Sequence, residues 1–353
     1  MPNSVSPLRA MIHRSIPRHI NNPFALAMRI LASRNGEAFY ALASAAAQAA
    51  VTPLDLALSL REKRICERAS PPERPIVFVV GPPRSGTTVT AQVLSASLPV
   101  AYFNNLTSIF PRSPITVNKM VRRPFRNERI SFRSFYGKSS NWYGPNDALY
   151  FWDRWFGSDR TIIPSAIDEP HRTQLVQFFG AFQEAFPLPL VSKNNNMNAY
   201  AKIVAPLLPT AVFVCMRRNP LYLAQALLKS RRDIHGSDET PYGLEDPQVK
   251  GAQSDNAYQS VCRQVAFHRK LETEQLQAIG PDRYWVVDYE QFCNDPKALV
   301  DRVASYIAPE KSVARTEGVD LKPFPVSQQQ KISDKDFARL TAELETWSLS
   351  ETN

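Results

Sequence analysis

Residues 81–88 read Gly-Pro-Pro-Arg-Ser-Gly-Thr-Thr: a glycine, four residues and a second glycine, with an arginine inside and two hydroxyls behind. Backbone N–H groups of such a loop, with those of a helix starting behind it, converge on one point and suit a tetrahedral oxyanion. The spacing is that of a Walker loop, but Thr87 stands where a nucleoside triphosphatase carries the lysine that reaches the outer phosphates. Arg84 puts the positive charge within the loop instead. Two more basic groups end apolar runs: Lys193 follows residues 188–191, and Arg217-Arg218 follow residues 211–216. Asp147 follows Gly144-Pro145-Asn146 and precedes a cluster of aromatic residues, where an aspartate opens a turn or caps the next helix.

The elements that must position these groups follow from the hydrophobic pattern. Residues 76–80, Ile-Val-Phe-Val-Val, form the unbroken β-branched run of a parallel strand buried on both faces. Helical spacing takes over at Thr87 and ends before Pro99. Further strands are expected at 100–103, 188–191, 211–216 and 284–287. Helices are expected at 37–50, after Pro53, and at 171–186, 197–207, 221–232, 256–279 and 296–307. Asn219-Pro220 and Asp295-Pro296 read as caps with proline in the first turn. This alternation predicts an α/β fold, a three-layer parallel sheet flanked by helices, with a helical N-terminal extension. Ligands of such a sheet gather at the carboxyl ends of its strands, where Arg84, Lys193 and Arg218 fall.

Residues 1–74 read as a basic, then alanine-rich extension, 75–310 as the α/β domain, and 311–353 as a tail and helix packing on that domain. The first 36 residues hold Arg9, Arg14, Arg18, Arg29 and Arg34 with no acid. They suit a basic arm at a membrane surface, a transit segment, or an extension packed on the core. Residues 112–138 are expected to be irregular and carry eight basic residues against Glu128; they suit a cover over an anionic ligand and lack any nucleic-acid-binding signature. The aromatic cluster of Tyr150, Phe151, Trp152, Trp155 and Phe156 suits core packing or a sugar-stacking wall, with core the safer reading. A net charge of +9 favours anionic ligands in general. Cys66, Cys215, Cys262 and Cys293 are scattered without metal-ligand spacing, which predicts free thiols in a reducing compartment. The most apolar stretch, 41–60, is broken by Gln48, Thr52, Pro53 and Asp55, so no membrane span is expected.

The loop, with its flanking strand and helix, resembles the 5′-phosphosulfate loop of the PAPS-dependent sulfotransferases, P-(K/R)-S-G-T-(T/S). The segment Val212-Phe213-Val214-Cys215-Met216-Arg217-Arg218-Asn219-Pro220 resembles that family's 3′-phosphate motif, and Tyr289-Glu290-Gln291 its Y-E-(D) ending. The resemblance spans residues 76–307 and implies 3′-phosphoadenylyl sulfate (PAPS) as co-substrate, 3′-phosphoadenosine 5′-phosphate (PAP) as product, and no metal. It implies cofactor contacts from Pro83, Arg84, Ser85, Gly86, Thr87, Thr88 and Arg218. The family's second 3′-phosphate contact, a serine, is Ala226 here, so Lys229, Ser230 or Arg231 would have to take its place, with Ser230, one turn on, counted among the cofactor contacts. Arg84 and Lys193 would stabilise the leaving oxygen, and Asp147, at an acidic position of some bacterial members, would be the base that a hydroxyl acceptor needs, with Asp153, His171 and His235 as competitors. Asn104-Asn105 occupies a region where some members place a catalytic glutamate. The implied activity is sulfuryl transfer to a hydroxyl, less readily an amine, of a small molecule, glycan or lipid, by a cytoplasmic protein with no nucleic-acid partner. The basic arm leaves a peripheral membrane contact open. Two rivals stand beside it: a non-catalytic protein binding PAP, another anionic ligand or a membrane surface, and a P-loop kinase or NTPase using Asp288 for Mg²⁺.

Overall fold

The computed structural model describes Met28 and residues 36–121, 124–125, 130, 132, 141–157, 159–248, 256–308 and 321–350. The strands are Ile76–Val80 (β1), Ala101–Tyr102 (β2), Leu190–Lys193 (β3), Ala211–Arg217 (β4) and Tyr284–Asp288 (β5). They form one sheet in the order β2-β3-β1-β4-β5, parallel throughout. The helices are Gly36–Glu67 (α1), Thr87–Ser97 (α2), Asn105–Ile109 (α3), Pro114–Met120 (α4), Leu149–Phe156 (α5), Glu169–Ala185 (α6), Met197–Val204 (α7), Pro220–Ser230 (α8), Ala257–Ile279 (α9), Tyr289–Asn294 (α10), Pro296–Ile307 (α11) and Asp334–Ser350 (α12).

Strand β1 is central and wholly buried, which is why its sequence is apolar at every position. Its alternate residues serve two cores. Ile76, Phe78 and Val80 face an aromatic layer with Phe151, Trp152, Phe178, Phe179 and Phe182. Val77 and Val79 face Leu94 of α2 and Val300 and Val303 of α11. The aromatic cluster around Trp152 is core: Phe151 and Phe178 pack with ring centroids 4.6 Å apart, and Phe156 stacks on Tyr200 at 4.1 Å. Helix α12 packs against α8 and α9 through Leu340, beside Leu344 and Trp347.

Three expectations about elements are corrected. Pro53 does not separate two helices; it lies inside α1. Its ring is on the exposed side, where water can serve the carbonyl that loses its N–H donor, and the alanines and leucines around it are strong helix formers. Second, the basic stretch from Arg112 is not irregular throughout, because α4 forms within it. Its first N–H groups are capped from afar: Glu62 of α1 accepts from the N–H of Ile115 at 2.9 Å and from the N–H and hydroxyl of Thr116 at 2.8 and 2.7 Å. A cap 54 residues away leaves no local sequence signal. Arg122, Arg123, Arg126, Arg129, Arg133 and Lys138 lie outside the described residues, so that stretch's covering role does too. Third, α8 does not run to Arg232: residues Arg231–His235 widen into a π-helical turn. The basic arm also lies outside the described residues but for Met28 and Gly36: residues 1–27 and 29–35, with all five of its arginines, are not described.

Candidate functional site

Strand β1 hands the chain to α2 through a loop with unusual backbone angles. Gly81, Arg84 and Gly86 have φ of 127°, 72° and 97°, the left-handed side that glycine adopts freely and arginine only at some strain. The glycines are also sterically required. A Cβ on Gly81 would sit 2.6 Å from the Met216 carbonyl oxygen, and one on Gly86 would sit 2.3 Å from the Tyr289 ring. Asn195, just past β3, ties the loop down: its amide donates to the carbonyls of Gly81 and Pro82 at 2.9 and 3.0 Å and to the Thr87 hydroxyl at 3.2 Å. The N–H groups of the first turn of α2 have no acceptor within the helix and face out of its end.

The loop opens on a cavity of about 310 Å³ at the carboxyl ends of β1, β3 and β4, lined by Arg84, Lys193, Arg218 and Arg160 among others. Arg84 is exposed. Arg218, 8% exposed, donates to the Arg84 carbonyl at 2.8 Å and to the Ser327 carbonyl, and lies 5.1 Å from the centre of the Tyr289 ring. Its Nε has no hydrogen-bond partner among the described residues. Burial draws the Arg218 guanidinium below the usual arginine range, and neighbouring Arg84 adds to the effect. Two arginines side by side, the buried one bonded to backbone carbonyls rather than a carboxylate, leave positive potential for an anion to neutralise.

Asp147 is the only carboxylate lining this cavity among the described residues, and no histidine does. It pairs with Lys193 at 3.2 Å, both largely buried. Lys193 is the last residue of β3, in register with Val79 of β1, so the sheet fixes its origin beside the loop. Asp147 is fixed from below: Asn146 accepts from the Ala148 N–H at 2.8 Å, donates to Asn105 at 2.5 Å, and its own N–H bonds the Phe103 carbonyl at 2.7 Å. The helix-cap alternative is not realised, since the N-cap of α5 is Ala148 and makes no side-chain cap bond. Asp153 is committed to Arg160 through two 2.9 Å bonds. His171 is bound to Asp168 at the start of α6, and His235 sits in the π-helical turn; neither lines the cavity. Asn104 and Asn105 are also structural: Asn104 caps α3 by accepting from the Thr107 N–H at 3.0 Å.

Pro241, Tyr242 and Gly243 form a second part of the cavity wall, adjoining the loop at Pro83. Gly243 is backed so closely onto Pro83 that a Cβ would meet its ring at 2.6 Å. Burial pushes the Tyr242 phenol up to about 12. This segment has no regular structure and hangs on Gln264 of α9, whose amide donates to the carbonyls of Tyr242 and Leu244 at 2.9 and 2.7 Å. Gln264 in turn accepts from the fully buried Arg231 at 3.1 Å, which also donates to the Asp238 carbonyl.

Of the residues expected at the site, Pro83, Arg84, Gly86, Thr87, Thr88, Asp147, Lys193 and Arg218 meet at one cavity. Ser85 and Ser230 do not line it. The Ser85 hydroxyl turns inward to the Pro82 carbonyl at 2.8 Å, and the Ser230 hydroxyl bonds back along its helix to the Ala226 carbonyl at 2.8 Å. Asn195, Arg160, Tyr242, Tyr289 and Gln264 were not among the expected site residues. The run Asn194-Asn195-Asn196 at a strand end was the one available signal. Among the described residues, no cluster of three or more His, Cys, Asp or Glu is arranged to hold a metal. No described helix is long and apolar enough to cross a membrane.

A model of the sulfotransferase family matches residues 75–309. No curated protein matches the chain. Among solved structures, the chain is similar to the sulfotransferase STF9 from Mycobacterium avium, at 14% identity and a TM-score of 0.50, over 96% of this chain and 81% of that one. It also aligns with STF1 from Mycobacterium tuberculosis H37Rv, at 13% identity and a TM-score of 0.44, over 97% and 95% of the two chains. A sulfotransferase from Alicyclobacillus acidocaldarius aligns at 17% identity and a TM-score of 0.37, over 78% and 96%. At such identities the STF9 likeness bears on the fold alone.

Proposed function

The chain belongs to the sulfotransferase family, and on that premise we propose that it moves the sulfuryl group of PAPS to the hydroxyl of a small-molecule, glycan or lipid acceptor, an amine being the less favoured acceptor. The observation that carries this reading is the meeting, in one cavity, of an oxyanion-binding loop with the Asp147–Lys193 pair. The donor fits the residues present. Its 5′-phosphosulfate suits the loop N–H groups, Thr87, Thr88 and Arg84. Its 3′-phosphate suits Arg218, whose buried guanidinium has an uncommitted Nε and no carboxylate bonded to it. PAPS supplies a sulfuryl group already bonded to a phosphate oxygen.

In this reading Asp147 takes the proton of the attacking hydroxyl as the new oxygen–sulfur bond forms. Arg84, Lys193 and the loop N–H groups hold the charge left on the phosphate oxygen as the old bond breaks. Lys193 neutralises Asp147 in the resting site. A phosphosulfate at the loop competes for the same ammonium, which frees the Asp147 oxygens to face the acceptor hydroxyl. Positioning and charge stabilisation carry most of the work, as in phosphoryl transfer. The NTPase rival is poorly served: Asp288 does not line the cavity and is bound to Arg217 at 2.6 and 2.9 Å. A cytoplasmic setting belongs to the same reading, and the four cysteines are free thiols.

Transfer of label from ³⁵S-PAPS to a mixed acceptor panel is the direct test, with EDTA present and absent. Labelled product at an undiminished rate in EDTA is expected. Turnover lost on chelation and restored by Mg²⁺, with ATP consumed, would return the NTPase reading. PAP binding without transfer to any acceptor would leave a binding protein.

A further inference from the structure

Helix α1 turns polar groups inward: Thr52, Asp55 and Glu62 are 8%, 1% and 2% exposed. Asp55 accepts from the Ser113 hydroxyl at 2.6 Å and the Arg112 N–H at 3.1 Å, and Glu62 caps α4. Hydrogen bonds thus dock the middle of this helix, with Ile65 and Cys66 packing on the core near its end. Four large apolar side chains point outward instead. Phe39, Leu54, Leu56 and Leu60 are 48%, 53%, 46% and 67% exposed. From residue 39 to residue 60 the only charged residue is the inward Asp55, so about 33 Å of helix presents an uncharged outer face.

At the C-terminal end the same face turns basic. Leu54, Ala57, Leu60, Arg61, Arg64 and Arg68 follow one another at helical spacing, and all are exposed. Arg61, Arg64 and Arg68 form no ion pair with a described residue; the pair on this stretch is Lys63 with Glu67, at 3.6 Å. Leucines beside unpaired arginines on one exposed face describe a helix that lies in a membrane interface: the leucines enter the headgroup boundary and the arginines meet lipid phosphates. A second copy of the chain would also cover the leucines, but at +9 it would bring the arginines a net positive partner, whereas an anionic lipid surface offers phosphates across the whole face. We propose that the outer face of α1, through Leu54, Leu56, Leu60, Arg61, Arg64 and Arg68, docks the protein on an anionic phospholipid surface. This assignment is independent of the reaction proposed above and of residues 1–27.

The test is co-sedimentation of the full-length chain with vesicles of phosphatidylcholine, alone or mixed with phosphatidylglycerol. Binding to the anionic vesicles is expected, weakening as salt screens the charges. The triple change Arg61→Gln, Arg64→Gln, Arg68→Gln should lower partitioning about 100-fold, given roughly 1 kcal/mol per basic side chain at such a surface. Leu54→Gln, Leu56→Gln, Leu60→Gln should lower it at least about 10-fold. These side chains are exposed, so circular dichroism and the melting temperature should not change. Full binding by the leucine variant would overturn the proposal in favour of the N-terminal basic arm. Absence of binding to either vesicle would overturn it too. In that case a dimer seen by analytical ultracentrifugation, and lost in the leucine variant, would make the face a self-association surface.

Discussion

The two walls of the cavity are built from different materials. The wall at the 81–88 loop is mostly main chain: β1 sits between β3 and β4 in the middle of the sheet, two glycines pack against Met216 and Tyr289, and Asn195 ties three loop atoms. The Tyr242 wall is an irregular segment held largely by side chains, among them the Gln264 amide, which bonds two of its carbonyls and is backed by buried Arg231. A wall made of sheet and helix end cannot shift without breaking the fold. A wall hung on side chains can move by fractions of an ångström, and such segments open at lower free energy than core strands. In the proposed reading the groups that hold the transferred group lie on the first wall, and selection among acceptors is the role proposed for the second.

The largest effect expected from this contrast is at Asp147. Asp147→Asn keeps the size of the side chain and can still bond Lys193, but it cannot take a proton. Loss of a general base costs roughly 10²–10⁴ in rate, so turnover should fall by that factor while PAP affinity stays near wild type. Retention of more than about a tenth of the turnover would remove Asp147 from the base role. The cavity as described offers no other carboxylate or histidine in its place, so the acceptor would then have to lose its proton to water or to an undescribed residue.

A smaller effect is expected at Arg218, which the proposed reading gives to the nucleotide and which also bonds the Arg84 carbonyl. Losing one charge-assisted hydrogen bond costs about 1.5–3 kcal/mol, so Arg218→Ala should weaken PAP binding roughly 10- to 100-fold by calorimetry. It also removes the donor to the Arg84 carbonyl. The same variant should therefore unfold at a lower temperature. Unchanged PAP affinity in a folded variant would detach Arg218 from the 3′-phosphate.

The first wall was legible in the sequence because it is contiguous. An apolar run, a glycine-bounded loop and a helix pattern lie within 22 residues (76–97), and each dictates its neighbour's geometry. Arg218 was legible for the same reason, at the end of a buried strand before Asn-Pro. The pairing of Asp147 with Lys193 was not, although both residues were named, because it joins positions 46 apart through tertiary packing. Hydroxyl direction was not legible either. Ser85 and Ser230 both satisfy nearby backbone carbonyls, a competition that the residue type permits but does not announce. The Tyr242 wall left no mark at all, since a glutamine in the middle of a long helix has no signature separating a loop anchor from a surface residue.

The smallest effect, and the one that most sharpens the contrast, is expected from Gln264→Leu. The side chains are similar in volume, so α9 should stay packed, but the Tyr242 and Leu244 carbonyls lose their donor and Arg231 loses an acceptor. Buried groups left unsatisfied cost about 1–3 kcal/mol each. Much of that cost can be relieved if the 241–244 segment moves toward water. Such movement loosens the packing of Gly243 on Pro83 and disturbs the surface proposed to meet the acceptor, while the sheet and Asn195 keep the rest of the loop, Asp147 and Lys193 in place. The expected result is an acceptor KM raised several-fold, about 5-fold for each 1 kcal/mol of binding lost, with kcat within a factor of about two and PAP affinity unchanged. Hydrogen exchange should rise in residues 237–245 and not in 81–88. If kcat instead falls as far as in Asp147→Asn while KM holds, the side-chain-hung wall takes part in the chemical step, and the division of labour between the two walls is wrong.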